Sequence, residues 1–156
     1  MNYEEYWEKI KNFVKESTLS QRIFAGIVML IFLSGYIVYI NPAKKLLEMR
    51  NSQRRADIVS ILNVVYQYGT KHEGVFPMEI SENSTAVCRT GALSCEGLLD
   101  LSQILADNKA LLSKIPVDPN EKNSNSSGYE IFRQANGRIG VSAPLAENGA
   151  VIKQSK

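Results

Sequence analysis

The chain has 156 residues, a formal net charge of +2, one histidine and two cysteines. This length allows one modest domain plus a membrane anchor, and so small a charge excludes a strong field that would attract nucleic acid. A single histidine restricts acid–base chemistry and metal binding, so we expect a protein that is not an enzyme and has no catalytic residue, metal site or cofactor.

The N-terminal 20 residues predict an amphipathic tail. Residues 3–14 place aromatic and aliphatic side chains at helical spacing, with glutamates and lysines on the other face. Such a helix lies on a membrane surface or docks to a cytoplasmic or membrane partner, and both roles stay open. Thr18 and Gln21 form a capping-box pattern that predicts the start of the next helix.

A long apolar run follows, and it predicts a transmembrane helix over residues 21–42. Residues 23–40 read IFAGIVMLIFLSGYIVYI, without charge or proline. As a helix they span about 27 Å, close to the hydrocarbon thickness of a bilayer. A buried core helix is disfavoured, because no other segment is apolar enough to surround it. No small-x-small cleavage site follows, so we expect the segment to remain as an anchor in the lipid bilayer.

The orientation of this span does not follow from charge, because basic residues flank it on both sides. The short N-terminal segment has no globular fold, and both cysteines come after the span. We therefore predict a single-pass protein of the cytoplasmic membrane, with its N-terminus inside and its C-terminal domain outside.

A second helical segment runs from about Ala43 to His72, and one face of it is apolar. We predict that this face packs against a partner surface, because its members recur at steps of three and four residues. Arg54, Asp57 and Asn63 are expected on other faces. Gly74 and Pro77 are expected to end the helix. The packing face consists of Ile58, Ile61, Leu62, Val65 and Tyr68.

Residues 79–97 predict a polar loop that holds Cys88 and Cys95, with six residues between them. One such pair does not supply the four ligands of a zinc site. A disulfide that closes a short loop fits better, and it would require an oxidising compartment; two free thiols are the alternative.

The remaining segments predict a small domain. Residues 97–106 predict a short helix, and Asn136-Gly137 predicts a tight hairpin turn between residues 129–133 and 138–142. Residues 148–156 are expected to be a flexible tail. The predicted fold is α+β: a long N-terminal helix, half transmembrane and half amphipathic, packed on a small antiparallel sheet in a domain over residues 43–147.

This order of elements resembles the type IV pilin and type II secretion pseudopilin family over about residues 23–147. Family members share a basic helix with Gln, Arg and Asp that ends in a Tyr-rich turn and a Gly-x-Phe/Tyr-Pro stop. The matching segments are Asn41–Lys45, Arg50–Asp57, Ile61–Tyr68, His72–Pro77, Cys88–Ala92, Ile115–Pro119 and Gly128–Pro144.

The resemblance implies a structural or assembly subunit that associates with itself or with other pilin-like subunits through its N-terminal helix. Pilins also carry a Gly at the processing site and a Glu early in the apolar run, and neither is present around Ile23. We therefore expect the N-terminal segment to be retained. The alternative is an extracytoplasmic binding module that is anchored in the membrane and never polymerises.

Some pseudopilins bind calcium near an Asp-Pro motif. Here Asp118 and Glu121 are present, but no third carboxylate lies close in sequence. Calcium requires six to eight oxygen ligands, so a solvated turn is the favoured interpretation.

Overall fold

The chain forms four helices and four strands within residues 2–156, which the computed structural model describes with the side chains of residues 14, 16 and 40 excepted. Residues up to Lys45 form one compact unit, and Leu46–Lys156 form a second. The first unit contains α1 (Tyr3–Glu16), α2 (Leu19–Ile40) and the start of α3 (Pro42–Lys71).

Residue-specific caps define the ends of α1 and α2. The Asn2 side chain accepts a hydrogen bond from the backbone N–H of Tyr3, and α1 ends at Ser17, which is extended. At the start of α2, Thr18 and Gln21 form the reciprocal capping box that the sequence predicts. Each such cap satisfies N–H groups that have no partner inside the helix.

Asn41 separates α2 from α3. Its backbone is left-handed (φ 42°), and its N–H donates to the carbonyl of Ile37 at 3.2 Å, which closes α2. Its side-chain oxygen accepts from the N–H of Lys44 at 3.2 Å, which caps α3. Pro42 takes the first position of α3, where the missing N–H costs nothing.

Four strands form one antiparallel sheet in the order β1-β2-β3-β4. Two of them correct the sequence predictions. β1 lies within the expected polar loop of residues 79–97, and β4 lies within the expected flexible tail of residues 148–156. The strands are β1 (Thr85–Cys88), β2 (Ser126–Arg133), β3 (Ile139–Ser142) and β4 (Lys153–Ser155).

The hairpin between β2 and β3 turns at Asn136-Gly137, as the sequence predicts. The N–H of Gln134 donates to the carbonyl of Arg138 at 2.8 Å, and Gly137 has φ 82°. Glycine adopts this left-handed conformation without strain, which other residues rarely do. The short helix α4 covers Ser102–Asp107 and begins later than the predicted residue 97.

The core of the second unit lies between α3 and the sheet. One buried cluster joins the apolar face of α3 to Tyr129, Ile131 and Val141 on the sheet and to Ile104 on α4. A small sheet needs such a second layer, because it cannot enclose a core by itself. The fold is therefore α+β, with a long N-terminal helical segment and a small antiparallel sheet.

Candidate functional site

The first candidate surface is α2. Among the described residues it lies in the one helical segment long and apolar enough to cross a membrane. Nearly all its large apolar side chains are exposed; Phe32 and Val38, for example, are 74% and 77% exposed. Soluble proteins rarely expose a contiguous apolar surface of this size, which makes α2 the first surface to consider for an interaction.

The second candidate is the face of α3 that the sequence predicts to pack. All five of its residues are buried, and the exposed fraction ranges from 0% to 5%. Val64 is also fully buried beside them. Because this face is buried in the core of the second unit, it is not available to a partner. The five residues are Ile58, Ile61, Leu62, Val65 and Tyr68.

Further toward the start of α3, the same face continues with polar residues. Asn51 is 4% exposed and Arg54 is 0% exposed, although Arg54 was expected on another face. The positions 51, 54, 58, 61, 65 and 68 advance by steps of three and four, which is the helical signal for a single face. The helical periodicity of the apolar residues includes position 54, which corrects the expectation that Arg54 lies on another face.

Arg54 is held by two acidic residues from distant parts of the chain. Its Nε and Nη2 donate to the two Asp118 oxygens at 2.6 and 2.9 Å, and its Nη1 donates to Glu147 at 2.9 Å. The hydrogen bonds to Asp118, more than the attraction of its charge, raise the pKa of Arg54. The guanidinium is thus a permanent cation that joins α3 to the segments before β2 and before β4.

Glu147 is the acceptor at the other end of this network. Arg50 donates to both of its carboxylate oxygens at 2.6 Å, and Asn51 donates to its backbone carbonyl at 2.9 Å. The hydrogen bonds from Arg50, and then those from Arg54, lower the pKa of Glu147 to about 2. A carboxylate with a pKa this low is ionised at physiological pH, so it acts as an anchor and not as a proton carrier.

A hydrogen bond between Asp57 and Tyr129 also connects α3 to the sheet. The Tyr129 hydroxyl donates to Asp57 Oδ2 at 2.6 Å, and the side chain of Tyr129 is fully buried on β2. Burial, followed by the hydrogen bond to Asp57, raises the pKa of Tyr129. The neutral phenol therefore remains a donor at any physiological pH.

Asp118, one of the two suggested calcium ligands, accepts hydrogen bonds from Arg54 in this network. Glu121 lies nearby, but its carboxylate accepts from the N–H of Asn123 and from the Ser126 hydroxyl. Within residues 2–156, no group of three or more His, Cys, Asp or Glu side chains is placed to hold a metal ion. Gly128 packs tightly on Asp118, where an added Cβ would lie 2.7 Å from its Cβ.

Cys88 and Cys95 form a disulfide with a Cα–Cα distance of 5.5 Å. Cys88 is buried at the end of β1, and Leu93, inside the closed loop, is 98% exposed. The bond therefore ties the exposed loop to the sheet.

A cleft of about 450 Å³ opens beside the end of α3 and the hairpin turn. Lys156 places its ammonium 4.3 Å from the centre of the Tyr66 ring, and Arg133 lies 6.0 Å from the Phe76 ring. Arg138 also lines the cleft, and the lining contains no aspartate or glutamate. Such a cleft suits an anionic group.

His72, which directly follows α3, lies beside an acidic residue at the end of α4. Its Nε2 lies 3.1 Å from Asp107 Oδ2, and its ring stacks on Tyr68 with 4.0 Å between centroids. Both members of the pair are more than 40% exposed. The pair is a surface contact that ties α3 to the end of α4.

Comparison of the chain with models of protein families, with curated proteins and with solved structures found no match.

Proposed function

We propose that this chain is a membrane-anchored, pilin-like protein with a structural or assembly role in a type IV pilus-like or type II secretion-like system. The observation that carries the proposal is the exposure of α2. An apolar helix of this length is unfavourable in water, so lipid or the equivalent helices of other subunits must cover it. No catalytic role is part of the proposal.

The construction of the second unit supports a mechanical role. α3 contributes one wall of the core, and Arg54 and Glu147 tie that helix to two distant segments. A force applied along α3 would therefore be passed to the sheet through buried packing and ion pairs together. This layout, a helix laid on a small antiparallel sheet, is also what the pilin resemblance implies.

The disulfide supports an extracytoplasmic location for the second unit, with the N-terminus in the cytoplasm. Disulfides persist in oxidising compartments and are rare in the cytosol. Because the Cys88–Cys95 bond lies after α2 in the chain, the part of the protein after the span is the part exposed to oxidising conditions.

The alternative function is a binding module that is anchored in the same way but does not polymerise. The cationic cleft between Tyr66 and Arg138 favours this candidate, because it provides a concave surface with three positive side chains. Its occupant would carry a carboxylate or phosphate group. In this case α2 would be covered by lipid alone.

Photo-crosslinking of the full chain in bacterial membranes separates these functions. A photoreactive phenylalanine analogue replaces Phe24 or Phe32, which are 70% and 74% exposed on α2. The matched control carries the analogue at Val75, which is 70% exposed on the second unit. Membranes are irradiated, and the products are separated under denaturing conditions.

A ladder of multimers from the α2 positions, absent from the Val75 control, is the result expected for subunits that pack through their N-terminal helices. If crosslinking gives only monomers while the protein resists alkaline carbonate extraction, the assembly role would be wrong and the binding module would be favoured. Extraction of the protein by carbonate would contradict membrane anchoring itself.

A further inference from the structure

α1 is an amphipathic helix with an exposed aromatic face. At 100° per residue, its apolar positions cover an arc of about 120°. Tyr3, Trp7 and Phe13 on this arc are 72%, 46% and 72% exposed. The opposite side is polar and is crossed by the ion pairs Lys9–Glu5 at 3.2 Å and Lys11–Glu8 at 2.9 Å.

α1 is a separate helix, not an extension of α2. It ends at Ser17, whose backbone is extended (φ −70°, ψ 135°), and the capping box at Thr18 starts α2. The N–H of Ser17 still donates to Phe13, but that of Thr18 donates to the Gln21 side chain, so the helical pattern breaks there and the axis of α1 need not continue that of α2. Arg22, in the first turn of α2, donates from Nε to the Ser17 hydroxyl at 3.0 Å.

The two-residue connection limits how far α1 can lie from the start of α2. Two extended residues reach at most about 7 Å. If Ile23 enters the hydrocarbon, the last turn of α1 therefore lies at the level of the lipid headgroups. Tyrosine and tryptophan are enriched at that level, because their rings are apolar and their polar tips bond to water.

We infer, given the membrane anchoring proposed for α2, that α1 lies in the headgroup layer of the leaflet at the N-terminal end of α2. Its aromatic face contacts the acyl chains, and it holds α2 at a set depth in the bilayer. The sequence of α1 contains one more glutamate than lysine. Its binding therefore depends on apolar burial, and it does not require anionic lipid.

Trp7 is an intrinsic fluorescence probe of the position of α1, because it is the only tryptophan in the chain. The full chain is reconstituted into vesicles of zwitterionic phosphatidylcholine, and flotation on a density gradient verifies insertion. Trp7 emission is then recorded in vesicles whose lipids carry bromine either near the carbonyl end or near the methyl end of the acyl chains.

The expected result is a blue-shifted emission that is quenched most by bromine near the carbonyl end and is unchanged in 1 M NaCl. Ile10→Glu, on the apolar arc, should shift the emission toward that of a water-exposed indole. Asn12→Glu adds the same charge on the polar side and should leave the emission unchanged.

Two other outcomes have distinct meanings. Protein that floats with the vesicles but shows a water-exposed, unquenched Trp7 would overturn the placement of α1 and leave the anchoring by α2 intact. Protein that does not float would overturn the anchoring and, with it, this placement.

Discussion

Arg54 and Asp118 form a two-point ion pair with both side chains fully buried, although they lie 64 positions apart in the chain. Removing two charges from water is costly, and their attraction offsets that cost only because the geometry is bidentate and each group has further partners. Asn51 and Glu147 supply two of these partners to Arg54.

Replacement of Arg54 by Met should lower the free energy of unfolding by about 3–5 kcal/mol, because Asp118 would be left buried with its cationic partner removed. Urea unfolding of the second unit, Leu46–Lys156, measures this change. Arg55 is exposed on the same helix, so Arg55→Met is the matched control and should change stability by less than about 0.5 kcal/mol. Equal losses in the two variants would contradict the buried network.

The double variant Arg54→Met, Asp118→Leu tests whether the loss arises from the unpaired charge. Removing both partners avoids a buried carboxylate without a cation, so it should recover part of the stability lost in the single variant. A double variant less stable than Arg54→Met would show that Asp118 stabilises the fold through its other contacts, such as the N–H of Asn120, and that its unpaired charge does not cause the loss.

Leu62 tests the packing of α3 against the sheet. It is 2% exposed, so Leu62→Ala should cost about 2–5 kcal/mol through lost burial and the cavity left behind. The neighbouring Asn63 is exposed, and Asn63→Ala should cost little. Urea midpoints of the two variants decide the matter, and equal shifts would mean that α3 is not a wall of this core.

The low pKa of Glu147 predicts acid sensitivity. Its folded pKa of about 2 lies below the ordinary value of 4.5, so the unfolded chain binds the proton more tightly. The stability that Glu147 contributes is fully present above its unfolded pKa and is lost as the pH falls toward 2. We therefore expect the free energy of unfolding to decrease steadily from pH 5 to pH 2.

Glu147→Gln is the control for this pH dependence, because it keeps the shape of the side chain and removes the titration. Denaturant unfolding measured across the same pH range should show a shallower slope in this variant. Parallel slopes in the two proteins would mean that other carboxyl groups cause the acid sensitivity.

The disulfide should stabilise the second unit modestly. Because the closed loop is short, its contribution by loop closure is about 2–3 kcal/mol. Reduction should increase hydrogen exchange in residues 89–97 while the amides of β2 and β3 remain protected. Loss of protection throughout the sheet after reduction would show instead that the Cys88–Cys95 bond is needed for the whole fold.

Several features of this protein follow from local sequence alone. The apolar run makes up most of α2, Thr18 and Gln21 start that helix, and Asn136-Gly137 makes the hairpin turn. Each depends on residues within a few positions of one another, where periodicity, capping chemistry and backbone preference act directly.

The tertiary structure decided the features that depend on partners distant in the chain. β1 and β4 are short and lie at the sheet edges, and they become strands because β2 and β3 offer free hydrogen-bonding groups to them. Periodicity places Arg54 on the buried face of α3, but only the presence of Asp118 and Glu147 makes a charge tolerable there. The sequence by itself thus determined the long helical segments, the apolar run and the hairpin turn. The edge strands and the buried ion pairs required the folded chain, because desolvation and strand pairing are settled by groups that only folding brings together.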